Sequence, residues 1–365
     1  MRKSHLTESE KELLNVLGKS PDISMKELVN RTQYKRLSSV VKKIGQFKKQ
    51  GMLYGPFYDV DFGRLCKNSF CVLICIIEFN QSYETVISYL RLIEPLKTVY
   101  PVLSPHKELL NVLFLSSDNA EIISLLQLLK DNNIITDYIT RVYSHNRTIE
   151  NPNLYGDPNP SLDNLLDPCD IPDLSFGCHD TDWNECDISI LPYLQMGYKS
   201  AQLIEILKAE KKLNKTWKYN QIKHSHKKML TAGLIRKKYL IFPFSYNQCV
   251  DFNLFLKTDD KTLTQRMLCN FARGSRVTKE YVLCEDWGYV GFASHPLFLT
   301  GLMHKLSQIE EIKEKELYQL RSTPDREYII HQQPPEYKYF DVEIQTLRYP
   351  YHVYKERIKE KLEIE

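Results

Sequence analysis

Two α+β halves in tandem, each a winged helix-turn-helix followed by a ferredoxin-like βαββαβ unit, are what this sequence predicts. Three observations carry the prediction. A basic, apolar-striped helix pattern over residues 34–50 stops at Gly51 and runs into strand-like sequence. A βαββαβ order begins at Ser69. Both features recur in the same order from about residue 185.

Residues 7–18 form a first helix, with Thr7 as N-cap, Glu10 completing a capping box and Gly18 as the stop. A second helix covers 24–32. In the third, Val40, Ile44 and Phe47 fall at i, i+4 and i+7 on one face. Lys35, Arg36, Lys42, Lys43, Lys48 and Lys49 take the other faces, with no acidic residue between 34 and 50. Gly51 supplies the left-handed residue that ends the helix. Met52–Asp61 reads as a hairpin wing turning at Gly55-Pro56. Strands are then expected at Phe70–Phe79, Leu96–Leu103, Glu108–Leu115 and Ile134–Tyr143, with helices at Tyr83–Ile93 and Asp118–Lys130.

Residues 144–182 lose all periodicity. Five prolines and eight acids against Arg147 describe a semi-extended linker. Helices follow at Asp187–Leu194, Ser200–Glu210 and Thr216–Thr231, the last with Thr216 as N-cap. The helix ends at Ala-Gly233-Leu-Ile, matching Gln-Gly51-Met-Leu, and Arg236–Phe242 is strand-like. A second βαββαβ spans Cys249–Leu320. The expected domains are 1–66 and 185–246 (winged helices), 67–145 and 247–323 (ferredoxin-like), 146–184 (acidic linker) and 324–365. That C-terminal extension ends in a charged helix, Tyr354–Leu362.

At 365 residues the chain is too long for one ordinary domain. Its longest apolar run, Phe70 to Ile77, is far short of a membrane span, and the first residues lack the apolar core of a signal peptide. A cytoplasmic protein with no membrane partner is expected. Cys71 and Cys75 lie in a buried-strand pattern, so free core thiols are expected rather than disulfides. Cys169, Cys178, His179 and Cys186 match no compact zinc module, and no metal is expected.

Charge is segregated. Residues 208–238 hold ten lysines and Arg236 against one acid, Glu210. A basic element at the same place in both halves points to a polyanion, double-stranded DNA. Lys35, Lys42, Lys43, Lys218, Lys223 and Lys227 are placed to contact phosphates. Tyr34, Arg36, Ser38, Ser39, Tyr219 and Gln221, near the helix starts, are placed to reach base edges, and Thr216 is counted with the DNA-binding residues.

In order and spacing the chain resembles the Lrp/AsnC (feast/famine) regulators of bacteria and archaea, over roughly 5–143 and 185–322. Counting back from Gly51, Val40, Lys43 and Phe47 take the Val, Arg and Leu places of that family's recognition helix. Ile222 and Met229 do so in the second copy, where Ser225 replaces the Arg and His226 an aliphatic residue. The family's Gly-x-Tyr-Asp segment survives only as Glu285-Asp-Trp-Gly-Tyr289. The resemblance implies a transcription regulator of archaeal type that is not an enzyme. It implies self-association through the ferredoxin-like domains, here within one chain as a pseudo-dimer or between chains as a homodimer, and a small-molecule effector of unknown identity. No cofactor is expected.

Two alternatives stand beside it. Small Lrp-like relatives decarboxylate siroheme, for which His106, His295 and His304 are the relevant side chains. The other is a protein-interaction module whose helix-turn-helix no longer touches DNA.

Overall fold

The computed structural model describes residues 6–197, 199–245, 248–321, 330–332 (backbone) and 336–364. In chain order the elements are α1 (Glu8–Lys19), α2 (Met25–Asn30), α3 (Leu37–Lys49), β1 (Leu53–Val60), α4 (Phe62–Leu65), β2 (Cys71–Phe79), α5 (Tyr83–Leu90), β3 (Leu96–Val102), β4 (Glu108–Ser116), α6 (Asn119–Asp131), β5 (Asp137–Val142) and β6 (Thr148–Glu150). The second half continues with α7 (Glu185–Met196), α8 (Leu203–Lys212), α9 (Tyr219–Thr231), β7 (Ile235–Ile241), β8 (Val250–Lys257), α10 (Lys261–Asn270), β9 (Thr278–Cys284), β10 (Trp287–Ser294), α11 (Pro296–Ser307) and β11 (Glu314–Gln319). The tail adds β12 (Ile330–Gln332), β13 (Phe340–Asp341), β14 (Thr346–Leu347) and α12 (Tyr351–Ile364). The fold is α+β with antiparallel sheets.

The elements gather into two compact units that do not follow chain order. One unit comprises residues 1–59, 147–174 and 237–317. It joins the first helix-turn-helix to the second βαββαβ sheet. In α1 the expected capping box is present: Thr7 N–H donates to Glu10 Oε2 at 2.8 Å and Glu10 N–H to Thr7 Oγ1 at 3.4 Å. Leu13, Leu14, Leu17, Leu28, Val40, Phe47, Met52 and Leu53 form this domain's core, completed by Leu154 and Ile241 from distant sequence. Gly51 has φ 67°, the left-handed stop that the helix end requires.

The wing differs from expectation. Leu53–Val60 is one strand rather than a hairpin, and its partner is β7. Ten residues leave little room for two strands, whereas β7 brings Ile241 into the same core.

The sheet of this unit has the order β11-β8-β10-β9-β6. Phe252, Leu254 and Leu256 of β8, Tyr281 and Leu283 of β9, and Val290 and Phe292 of β10 pack with Met267 and Leu268 of α10 and Phe298 and Leu302 of α11. Leu162, Leu165 and Leu174, from the segment expected as a semi-extended acidic linker, are buried in this core. The segment is irregular but packed.

The other unit comprises residues 60–146, 175–236 and 318–365. Its sheet has the order β12-β3-β4-β2-β5, and α7–α9 belong with it. Asn184 and Asp187 form a capping box on α7. Trp183 is buried and its Nε1–H donates to the Arg64 carbonyl at 2.9 Å. The tail is pinned at Glu94, which takes Lys338 at 2.8 Å, the Tyr339 hydroxyl at 2.7 Å and Arg357 at 3.0 Å. The Tyr351 hydroxyl accepts the Ser117 N–H at 3.1 Å. The charged C-terminal helix starts three residues earlier than expected, at Tyr351.

Candidate functional site

The first helix-turn-helix presents the start of α3. Lys35, Arg36, Ser38, Ser39 and Lys42 are exposed, and Arg36 holds the N-cap position without a side-chain cap. Leu37 and Val41, i and i+4, are exposed on the same face. Tyr34 is half-buried, packed against the domain core, and burial raises its phenol above the usual range. Lys43 is not free for a phosphate: Glu10 holds its ammonium at 2.7 Å.

In the second helix-turn-helix, Lys218, Tyr219, Gln221, Lys223 and Lys227 are exposed on or beside α9. Thr216 is exposed but is not the N-cap. The helix starts at Tyr219 with Lys218 in that position, and Gln221 Oε1 accepts the Lys218 N–H at 2.8 Å. The reason is the neighbouring Trp217, whose indole N–H donates to the buried Glu210 at 3.0 Å and keeps this stretch out of the helix. Ile222, Ser225 and Met229 line the buried face of α9, and His226 is half-buried beside them.

A polar network lies on the second sheet, within one unit. Phe252, Leu254, Val290 and Phe292 face α10 and α11, so alternation turns Asn253, Tyr289 and Gly291 to the opposite face, where they too are buried. Glu280 pairs across from Gly291 and shares that face. The Tyr289 hydroxyl donates to Asn253 Oδ1 at 3.0 Å and lies 3.5 Å from Glu280 Oε1. Arg147 bridges Glu280 at 2.8 Å and Asp59 at 2.5 Å. Asn253 Nδ2 is buried and has no partner among the described residues. Sequence reasoning missed this network except for Tyr289. The available signal was Gly291, a glycine inside a strand pattern.

On the helix side of the same sheet, Lys279 is 2% exposed. Its ammonium donates to the carbonyls of Leu268 and Cys269, at 3.1 and 2.6 Å, and pairs with Glu150 at 3.1 Å. Burial pushes its pKa down and Glu150 opposes that. This is a cation capping the C-terminal carbonyls of α10, a structural role. His106 is exposed in the loop after β3, in the other unit. His295 caps α11 and meets the Phe244 ring edge-on at 5.4 Å, and His304 is exposed on α11.

Neither a protein-family model nor a curated protein sequence matches the chain. Solved structures do. The siroheme decarboxylase NirDL matches with a TM-score of 0.51 at 12% identity, covering 97% of this chain and 99% of that one. The same protein in co-complex with an iron-uroporphyrin III analogue matches with a TM-score of 0.50 at 11% identity. This chain has the fold of NirDL. Lrp-type proteins match only in part: the Mycobacterium tuberculosis leucine response regulatory protein LrpA covers 38% of this chain at 15% identity, with a TM-score of 0.29. The expectation that the chain is not an enzyme is therefore corrected. The protein whose structure it shares from end to end is an enzyme.

Proposed function

We propose that this protein is a decarboxylase of the siroheme decarboxylase type, acting on an iron tetrapyrrole. The observation that carries the reading is the end-to-end likeness to NirDL, which spans both helix-turn-helix domains and both sheets. The chemistry asked of such an enzyme is modest in parts: a seat for carboxyl-bearing side chains and a proton for the carbon that loses carbon dioxide. That demand fits a chain whose polar groups lie on a sheet face rather than in a nucleophile–base motif. Anaerobic incubation with siroheme, followed by mass spectrometry of the extracted tetrapyrrole, tests it. Loss of one and then further carbon dioxide units is expected. An unchanged mass with fully folded protein overturns the reading.

A second reading is favoured by the exposed basic starts of α3 and α9, which support binding of double-stranded DNA by Lys35, Arg36, Lys42, Lys218, Lys223 and Lys227. Titration of a labelled random duplex at several salt concentrations tests it. Absence of salt-dependent binding removes it.

A further inference from the structure

We infer that Cys169 and Cys269 form an oxidisable dithiol, which a hydroperoxide converts into a disulfide stapling the irregular segment 162–174 to the end of α10. The inference is independent of the decarboxylase reading, and both thiols belong to one compact unit.

Hydrogen bonds bring the two cysteines together from separate stretches. Cys269 and Asn270 are the last two residues of α10. The Asn270 side-chain amide donates to the carbonyls of Leu165 and Asp167, at 3.2 and 2.8 Å. The Cys269 thiol donates to the Asp170 carbonyl at 3.9 Å. The segment is therefore fastened to the helix end on both sides of Cys169, and the Cys169 thiol interacts with that of Cys269. Leu162 and Leu165 before Cys169, and Leu174 after it, sink into the core and keep it there.

The two thiols differ in what can reach them. Cys169 is half-exposed and Cys269 is buried, and neither is in a disulfide. A small peroxide meets Cys169 first, which leaves Cys269 as the resolving thiol. Burial raises the Cys269 thiol and the Cys169 thiol adds to this, while the Lys279 ammonium opposes both. That ammonium donates to the Cys269 carbonyl at 2.6 Å and favours the thiolate that the second step needs. Cys66 and Cys249, by contrast, are pushed up to about 12, chiefly by burial, and are poor nucleophiles.

The chemistry balances in two steps. The Cys169 sulfur attacks one peroxide oxygen, the O–O bond breaks, and the other oxygen leaves as water with the thiol proton. Cys169 is then a sulfenic acid. The Cys269 sulfur attacks the Cys169 sulfur, the S–O bond breaks, and hydroxide leaves as water with the Cys269 proton. The two sulfurs lose two electrons and the peroxide gains them. A thiol reductant reverses the bond by exchange. The disulfide closes a loop of about 100 residues, which restricts the unfolded chain and stabilises the folded one.

The test is peptide mapping by mass spectrometry, without reductant, of the full chain after graded hydrogen peroxide, with melts followed by circular dichroism. In the native protein a peptide pair joining Cys169 to Cys269 is expected. The melting midpoint should rise on the order of 5 °C, and dithiothreitol should abolish both changes. Cys169→Ser, at the half-exposed position, should fold normally and show neither change. Cys269→Ser should leave Cys169 as a sulfenic acid that dimedone traps; if that variant does not fold, the native peptide map and Cys169→Ser decide. Exposed Cys178 is the internal control, since Cys178→Ser should leave the crosslink intact. If native Cys169 resists peroxide, is oxidised without joining Cys269, or joins Cys178 instead, the dithiol is overturned.

Discussion

Glu94 shows how much one side chain can hold. Burial pushes its carboxyl up, but hydrogen bonds from Lys338, Tyr339 and Arg357 outweigh that and bring it down to about 2. A carboxyl depressed in the folded state adds stability above its unfolded pKa of about 4.3 and loses it as pH falls through the folded value. With solvent screening of these partly exposed partners, the contribution is about 1–2 kcal/mol. Glu94→Gln is therefore expected to destabilise the protein by that amount at pH 7. The gap from native protein should close between about pH 4 and pH 2, as read by denaturant titration at each pH. A gap that persists at pH 2 would mean that the glutamine harms packing rather than removing a charge. None of this was readable in sequence, because Glu94 and Arg357 are brought together only by the fold.

Among the elements, α3 was the most legible. Its apolar stripe and terminal glycine are local signals, and Val40 and Phe47 are buried as the spacing requires. Its two glycines have opposite roles. Gly51 has φ 67°, whereas a Cβ on Gly45, in mid-helix, meets nothing within 4 Å. Gly45→Ala should stabilise the chain by up to about 1 kcal/mol and Gly51→Ala should cost about 1 kcal/mol or more. Thermal midpoints moving in the same direction would contradict the assigned helix end. What sequence could not show was which lysines are spoken for. Glu10, 33 residues away, holds Lys43, so only Lys42, Lys223 and Lys227 of the central lysines remain for phosphates. Replacing those three by alanine is expected to flatten the log–log salt slope of duplex binding by about 3, at ~0.9 per contact. Adding Lys43→Ala should change it little. The Asn253–Tyr289–Glu280–Arg147 network was hidden for the same reason: its members come from four separate stretches, and no spacing connects them.

At the scale of the molecule, the tandem order misleads about what folds with what. The helix-turn-helix of each half belongs to the unit that holds the sheet of the other half. Strand exchange repeats the pattern. β6 follows the first sheet in the chain but pairs with β9 of the second, and β12 follows the second sheet but pairs with β3 of the first. Each added strand covers an edge that would otherwise be open to aggregation. A chain cut between Asn146 and Arg147 should therefore yield two fragments that are each incomplete. Fragment 1–146 keeps α1–α3 but loses Leu154 and Ile241 from their core, worth about 2 kcal/mol each, and keeps the first sheet without β12 or α7–α9. Against a total stability of about 5–15 kcal/mol, such losses leave little margin. Fragments 1–146 and 147–365 should show broad, weak melts separately. Mixed, they should co-elute in gel filtration and regain one cooperative transition. If fragment 1–146 alone melts sharply at the midpoint of the whole chain, the halves fold independently, and the crossed pairing of domains contributes nothing to stability.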